Sequence, residues 1–237
     1  MIHLPSLIDK ISARPNRPLF EQTCVIPDNK NYNEFWKEIY YFLRAIEFKS
    51  PIVKDIEKFI NKDFGFFGFR VHPVTHEPKY FHVGLSLDLK RDQKIYPIYP
   101  GVLEYSGYGA VNGYYVLLSH PGIVTEDGYT FHTMYCHLKK PLVKFNSYQK
   151  MLREISLGSH PTISINMETC LGIASTSGIS RAEYPGIYLE CSFRKFDETP
   201  IIIDPLRLYA VRAKKNTTAD LIKIKEINAL FKSSKKQ

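Results

Sequence analysis

Residues 80–91 read YFHVGLSLDLKR, and the fold is decided by how this stretch is taken. Leu85, Leu87 and Leu89 alternate with Gly84, Ser86 and Asp88, which is the period of two of a β-strand with one apolar face. His82, Gly84, Ser86 and Asp88 then share the other face. A histidine that opens such a row is either a metal ligand or a hydrogen-bonded core residue, and the neighbouring segments have to decide between them.

The same texture extends outward from about Phe64 to Tyr209, in short runs rich in Val, Ile, Tyr and Phe broken by Gly, Pro, Asn and Asp. Strands are expected at HVGLSLDL, IYPIYPGVLEYSG, GYYVLLSH, HTMYCHL, LGIAST and IYLECSFR. None is followed by the crossover helix that a parallel sheet needs, so an antiparallel sheet or sandwich is expected. Residues 146–157 read as one interrupting helix. The division expected is an arm with helices over 1–62, a β core over 63–210 and a basic helix and tail over 211–237. In the arm, residues 1–31 carry four prolines and read as irregular. Helical spacing begins at Phe35 and recurs from Ile52 to Ile60. At the other end, Thr217 or Thr218 would cap a helix over 220–231.

The 237 residues, 44% hydrophobic and 14% aromatic, suffice for a buried core. The formal charge of +8 is concentrated after Pro205, where nine Lys and Arg face two acids. The rest is near neutral, which speaks for a solvated tail and no specific nucleic-acid partner. No run of about 18 apolar residues is present, so no membrane span is expected, and no export signal is visible at the N-terminus, which leaves localisation open. The four cysteines are widely spaced and read as buried thiols.

In chain order the core offers FGFRVHP (67–73), FHVGLSLD (81–88), PIYPGVLEYSGYG (97–109), YYVLLSHPG (114–122), TMYCHL (133–138), LGIASTSG (171–178), GIYLECSFR (186–194) and IDPLRLY (203–209). This series resembles the lysostaphin-like, or LytM-type, zinc endopeptidases of the duplicated hybrid motif fold, which cut the peptide cross-links of bacterial peptidoglycan. The resemblance covers about residues 64–209. It implies a mostly β fold of LytM type, an antiparallel sheet or sandwich with flanking N-terminal helices and a C-terminal helix.

It also implies a site. The family's first ligand falls on His82, and its catalytic histidine in Tyr-x-His-Leu falls on His137. The ligand Asp falls on Ser86. In the last motif Tyr188 stands for the flanking histidine and Glu190 for the ligand histidine. Two of five positions therefore keep their residue. Asp88 lies about 7 Å further along the strand than Ser86 and would need a bulge to replace it. Glu190 is a legitimate zinc ligand, but His82, Glu190 and a neutral serine make a poor set. Arg70, His72 and His120 sit at groove positions, with His120 and His72 read as structural or groove-lining. His76, His132 and His160 read as loop residues, and Asp204 as a turn residue.

The function expected is that of a catalytically degenerate LytM-like domain acting as a binding or regulatory module in cell-wall metabolism, with a peptidoglycan peptide or a cell-wall enzyme as partner and no cofactor. The alternatives are an active zinc endopeptidase with an altered ligand set, and an interaction module unrelated to the wall.

Overall fold

The computed structural model describes residues 2–4, 13–16, 24–27, 39–43, 45–52, 55–62, 65–70, 80–146, 162–178 and 185–209. The strands are β1 (Ile2–Leu4), β2 (Ala13–Asn16), β3 (Cys24–Pro27), β4 (Gly68–Arg70), β5 (Tyr80–His82), β6 (Gly84–Asp88) and β7 (Lys94–Ile95). They continue as β8 (Gly101–Gly109), β9 (Gly113–Thr125), β10 (Thr130–Pro141), β11 (Ser164–Ile165), β12 (Gly172–Ala174), β13 (Gly186–Arg194) and β14 (Ile201–Ile203). Twelve of them join one sheet, along the path β11-β8-β9-β10-β13-β14-β3-β2, and β4 pairs with β5 apart from it.

The fold is mostly antiparallel β, as the alternating pattern predicts. The long strands β8, β9, β10 and β13 pair in antiparallel register. On the far edge of β13, β6 and β14 follow one another, β6 opposite residues 186–190 and β14 opposite 191–193. Two pairs depart from the expectation: β1 runs parallel to β9, and β14 runs parallel to β3. The arm that reads as irregular thus gives three short strands to the sheet. Of their prolines, Pro15 sits in the outermost strand β2, where a missing N–H costs least, and Pro27 ends β3.

Register assigns the two faces. Phe131, Thr133 and Tyr135 oppose Phe193, Cys191 and Leu189, while His132, Met134 and Cys136 oppose Ser192, Glu190 and Tyr188. The first set lies in the main core, with Leu85, Leu87, Leu103, Leu118 and Ile187 all fully buried. Each such aliphatic side chain is worth about 1.5–3 kcal/mol relative to exposure. The helical residues 39–43 place Ile39, Tyr40 and Leu43 in this core, where Phe48 packs edge-on against Phe131 at 5.6 Å. The second helical run is a single 3-10 turn, Ile56–Phe59, capped by Asp55. Residues 147–157 of the expected inner helix and the whole C-terminal helix lie outside the described residues. Among the described residues no helix is long and apolar enough to cross a membrane.

Candidate functional site

Four of the five expected site residues gather where the end of β5 meets the polar face of β6 and β13: His82 closes β5, Ser86 lies in β6, and Tyr188 and Glu190 lie in β13. Ser86 stands directly opposite Tyr188, and Gly84 opposite Glu190. A Cβ on Gly84 would meet the Leu189 carbonyl oxygen at 2.4 Å and the Tyr188 ring at 2.7 Å. The glycine of His-x-Gly is therefore what lets the tyrosine ring lie across the strand. On its other edge β6 is held by Asn61 and Gly65, through Ser86 N to Gly65 O (2.9 Å) and Asn61 N to Ser86 O (3.0 Å).

His82 is buried, and its Nδ1–H donates to the Phe66 carbonyl at 2.8 Å. That bond fixes the tautomer, so Nε2 is the acceptor, and the Ser86 hydroxyl donates to it at 3.3 Å. His82 is thus hydrogen-bonded at both ring nitrogens, to the Phe66 carbonyl and to Ser86. Asp88 turns elsewhere: its Oδ2 accepts from Asn61 Nδ2 at 2.7 Å.

The last of the five, His137, arrives from β10 in a left-handed conformation, φ 63°, at the bulge between Tyr135 and Leu138. Its Nδ1–H donates to the Ser177 carbonyl at 2.7 Å. Ser177 in turn donates through Oγ to Leu138 O (2.7 Å) and accepts from Tyr114 N (3.0 Å). Gly113 and Gly178, both at positive φ, admit this turn: a Cβ on either would meet a neighbouring backbone at 2.4 Å. The Tyr188 ring packs near both imidazoles, 5.3 Å from His82 and 6.5 Å from His137 between centroids.

Glu190 is the most constrained member. Its carboxylate accepts from Arg194 Nη2 at 3.1 Å and from Tyr188 Oη at 3.4 Å, and its side chain is 4% exposed. Burial raises the carboxyl above its ordinary pKa, against the opposing pull of Arg194 and of the tyrosine hydrogen bond. Arg194 also donates through Nε to Ser192 Oγ at 2.9 Å. Reasoning from motifs alone overlooked Arg194 and Ser177. The signal for Arg194 was the period of two, which puts Glu190, Ser192 and Arg194 on one strand face.

The groove residues separate. His120 belongs to the core face, opposite Phe131, fully buried, with Nδ1–H donating to Pro100 O (2.9 Å) and Thr133 Oγ1 bonded to Nε2 (2.8 Å). Of its two expected roles, the structure places it in the structural one, because strand alternation turns it away from Ser119 and the polar face. Burial pushes its pKa down to about 4. His132, expected in a loop, lies inside β10 on the polar face opposite Ser192; burial takes it to about 4 as well. The backbone of Arg70 lies in β4, while its side chain and His72 fall outside what is described. Asp204 caps the 3-10 helix Pro205–Leu208 by accepting from Leu206 N at 3.0 Å, in keeping with a turn role. Cys136 and Cys191 are buried free thiols, and Cys170 is half-buried.

Among the described residues no three His, Cys, Asp or Glu side chains stand together as metal ligands. His82 offers an imidazole, but the set around it does not fit a zinc ion: its nitrogen is met by a serine hydroxyl, and the Glu190 carboxylate is ion-paired with Arg194.

Solved structures similar to this one include a zinc-containing peptidase from Vibrio cholerae, at 20% identity and a TM-score of 0.44, covering 66% of this chain and 39% of that one. The catalytic domain of the antimicrobial peptidase lysostaphin from Staphylococcus simulans is similar at 15% identity and a TM-score of 0.41, with 64% and 92% covered. A chain of the SpoIIQ–SpoIIIAH pore-forming complex is similar at 14% and 0.46, with 73% and 98% covered. These are likenesses of fold, and the chain spans 39% of the length of the Vibrio peptidase. No family model matches the chain, and no curated protein sequence matches it.

Proposed function

We propose that this chain is a LytM-like module that binds a peptidoglycan peptide or a cell-wall enzyme on the polar face of β6 and β13, without zinc-dependent hydrolysis. The observation that carries the reading is the state of Glu190, the residue at a ligand position: Arg194 and Tyr188 both bond its buried carboxylate. A catalytic zinc needs about three protein ligands and an open water position. Here one ligand position is a neutral serine already bonded to His82. Tyr188 does not supply a base, since its hydroxyl donates to the Glu190 carboxylate.

One observation favours the second reading, an endopeptidase with an altered ligand set. Both His82 and His137 give Nδ1–H to a backbone carbonyl, the arrangement that prepares Nε2 of a histidine for a metal. Metal analysis of the purified protein after zinc loading decides between them, with His82→Ala and Glu190→Ala measured beside it. The expected result is no stoichiometric zinc and wall-peptide binding that persists in a chelator. Stoichiometric zinc lost in both variants would overturn the proposal in favour of the endopeptidase.

A further inference from the structure

The two groups that hold Glu190 differ in kind. Tyr188 offers a neutral hydroxyl, while Arg194 brings a full positive charge to 3.1 Å from Oε1. The guanidinium is not a passing surface contact. It folds back along its own strand, is steadied by Ser192 through Nε, and is 28% exposed above a carboxylate that is 4% exposed. Charges placed there interact more strongly than in open water.

A divalent ion bound to Glu190 at the usual distance of about 2 Å would have to displace that guanidinium or sit against it as a like charge. Ser86 and Arg194 therefore obstruct a metal in different ways. Ser86 withholds a ligand, and Arg194 supplies a competing cation. We propose that Arg194 is the residue that sets the ion selectivity of this pocket, a built-in cation in the place of a divalent one, so that replacing the missing ligand alone does not make a metal site. The inference rests on the reading above, that the unaltered pocket holds no zinc. It also makes ligand binding on this face independent of divalent ions.

The experiment measures zinc affinity by competition with a chromophoric chelator in Ser86→Asp and in the double variants Ser86→Asp/Arg194→Met and Ser86→Asp/Arg194→Lys, with folding followed by circular dichroism. Ser86→Asp/Arg194→Gln, which keeps a donor for Glu190 without the charge, is read in place of the Met variant should that one not fold. The neutral variant is expected to bind zinc at least about tenfold more tightly than Ser86→Asp, and the Lys variant to stay close to Ser86→Asp. Equal affinity of Ser86→Asp and the neutral variant overturns the inference, as does a Lys variant that binds as tightly as the neutral one. Stoichiometric zinc in the unaltered protein is a different result, and sinks the reading on which the inference rests.

Discussion

Gly84 shows how a single missing Cβ organises the polar face. The Tyr188 ring and the Leu189 carbonyl both occupy the space that a side chain would need, 2.7 and 2.4 Å from the ideal Cβ position. Gly84→Ala must therefore move a ring that packs beside His82 and His137 and a backbone group shared with β13. Overpacking of this kind costs about 1–3 kcal/mol, and urea denaturation is expected to show a loss in that range. Tyr188→Ala in the same background relieves the ring contact and leaves the carbonyl contact, so it should recover only part of the loss. Full recovery would mean that the carbonyl approach carries no strain.

At the scale of elements, the strands were the legible part. Alternation in residues 84–89 and 187–194 gave β6 and β13, strand period put Ser86 on one face with Gly84 and Asp88, and Tyr188 and Glu190 entered through the order of motifs. His82 and His137 were legible through the order of motifs. What the sequence did not disclose was contact across distant segments: the Ser177 carbonyl on His137, forty residues away, and the parallel pairing of β1 and β3 to strands far along the chain. Parallel pairing of this kind has no local hydrophobic signature when the strands are three or four residues long. Arg194 lay in a motif that was read for its ligands alone. The Ser177 turn carries its own prediction. Gly178 has φ 90°, and a Cβ there would meet Val111 O at 2.4 Å. Gly178→Ala is expected to destabilise by more than about 1 kcal/mol and to shift the imidazole resonances of His137 in NMR spectra, while those of His120 on the core face stay in place. Movement of both histidines to the same extent would point to general loosening instead of a local clamp.

For the molecule as a whole, the buried titratable groups give its stability a pH dependence with two opposed parts. His120 is fully enclosed, and burial lowers its pKa from 6.5 to about 4. Between those values the unfolded chain holds the proton that the folded chain refuses, so this group's contribution is complete above pH 6.5 and is lost as pH falls toward 4, by about 3 kcal/mol. His132 acts in the same direction. Asp204 acts the other way. Burial raises its carboxyl from 3.8 to about 6, against the smaller pulls of the Leu206 amide and Arg207. The folded chain keeps a proton that the unfolded chain releases, and this group's contribution declines as pH rises from about 4 to 6. Glu190, also raised by burial, adds to that side. Two variants separate the parts. His120→Gln is expected to lose less stability than the unaltered protein on going from pH 7 to pH 4.5. Asp204→Asn keeps the cap acceptor for Leu206 and is expected to gain on the unaltered protein as pH rises through the same interval. Denaturation midpoints at four or five pH values test both. Slopes that change in the same direction in the two variants would contradict the assignment, because one group holds its proton on folding and the other gives it up.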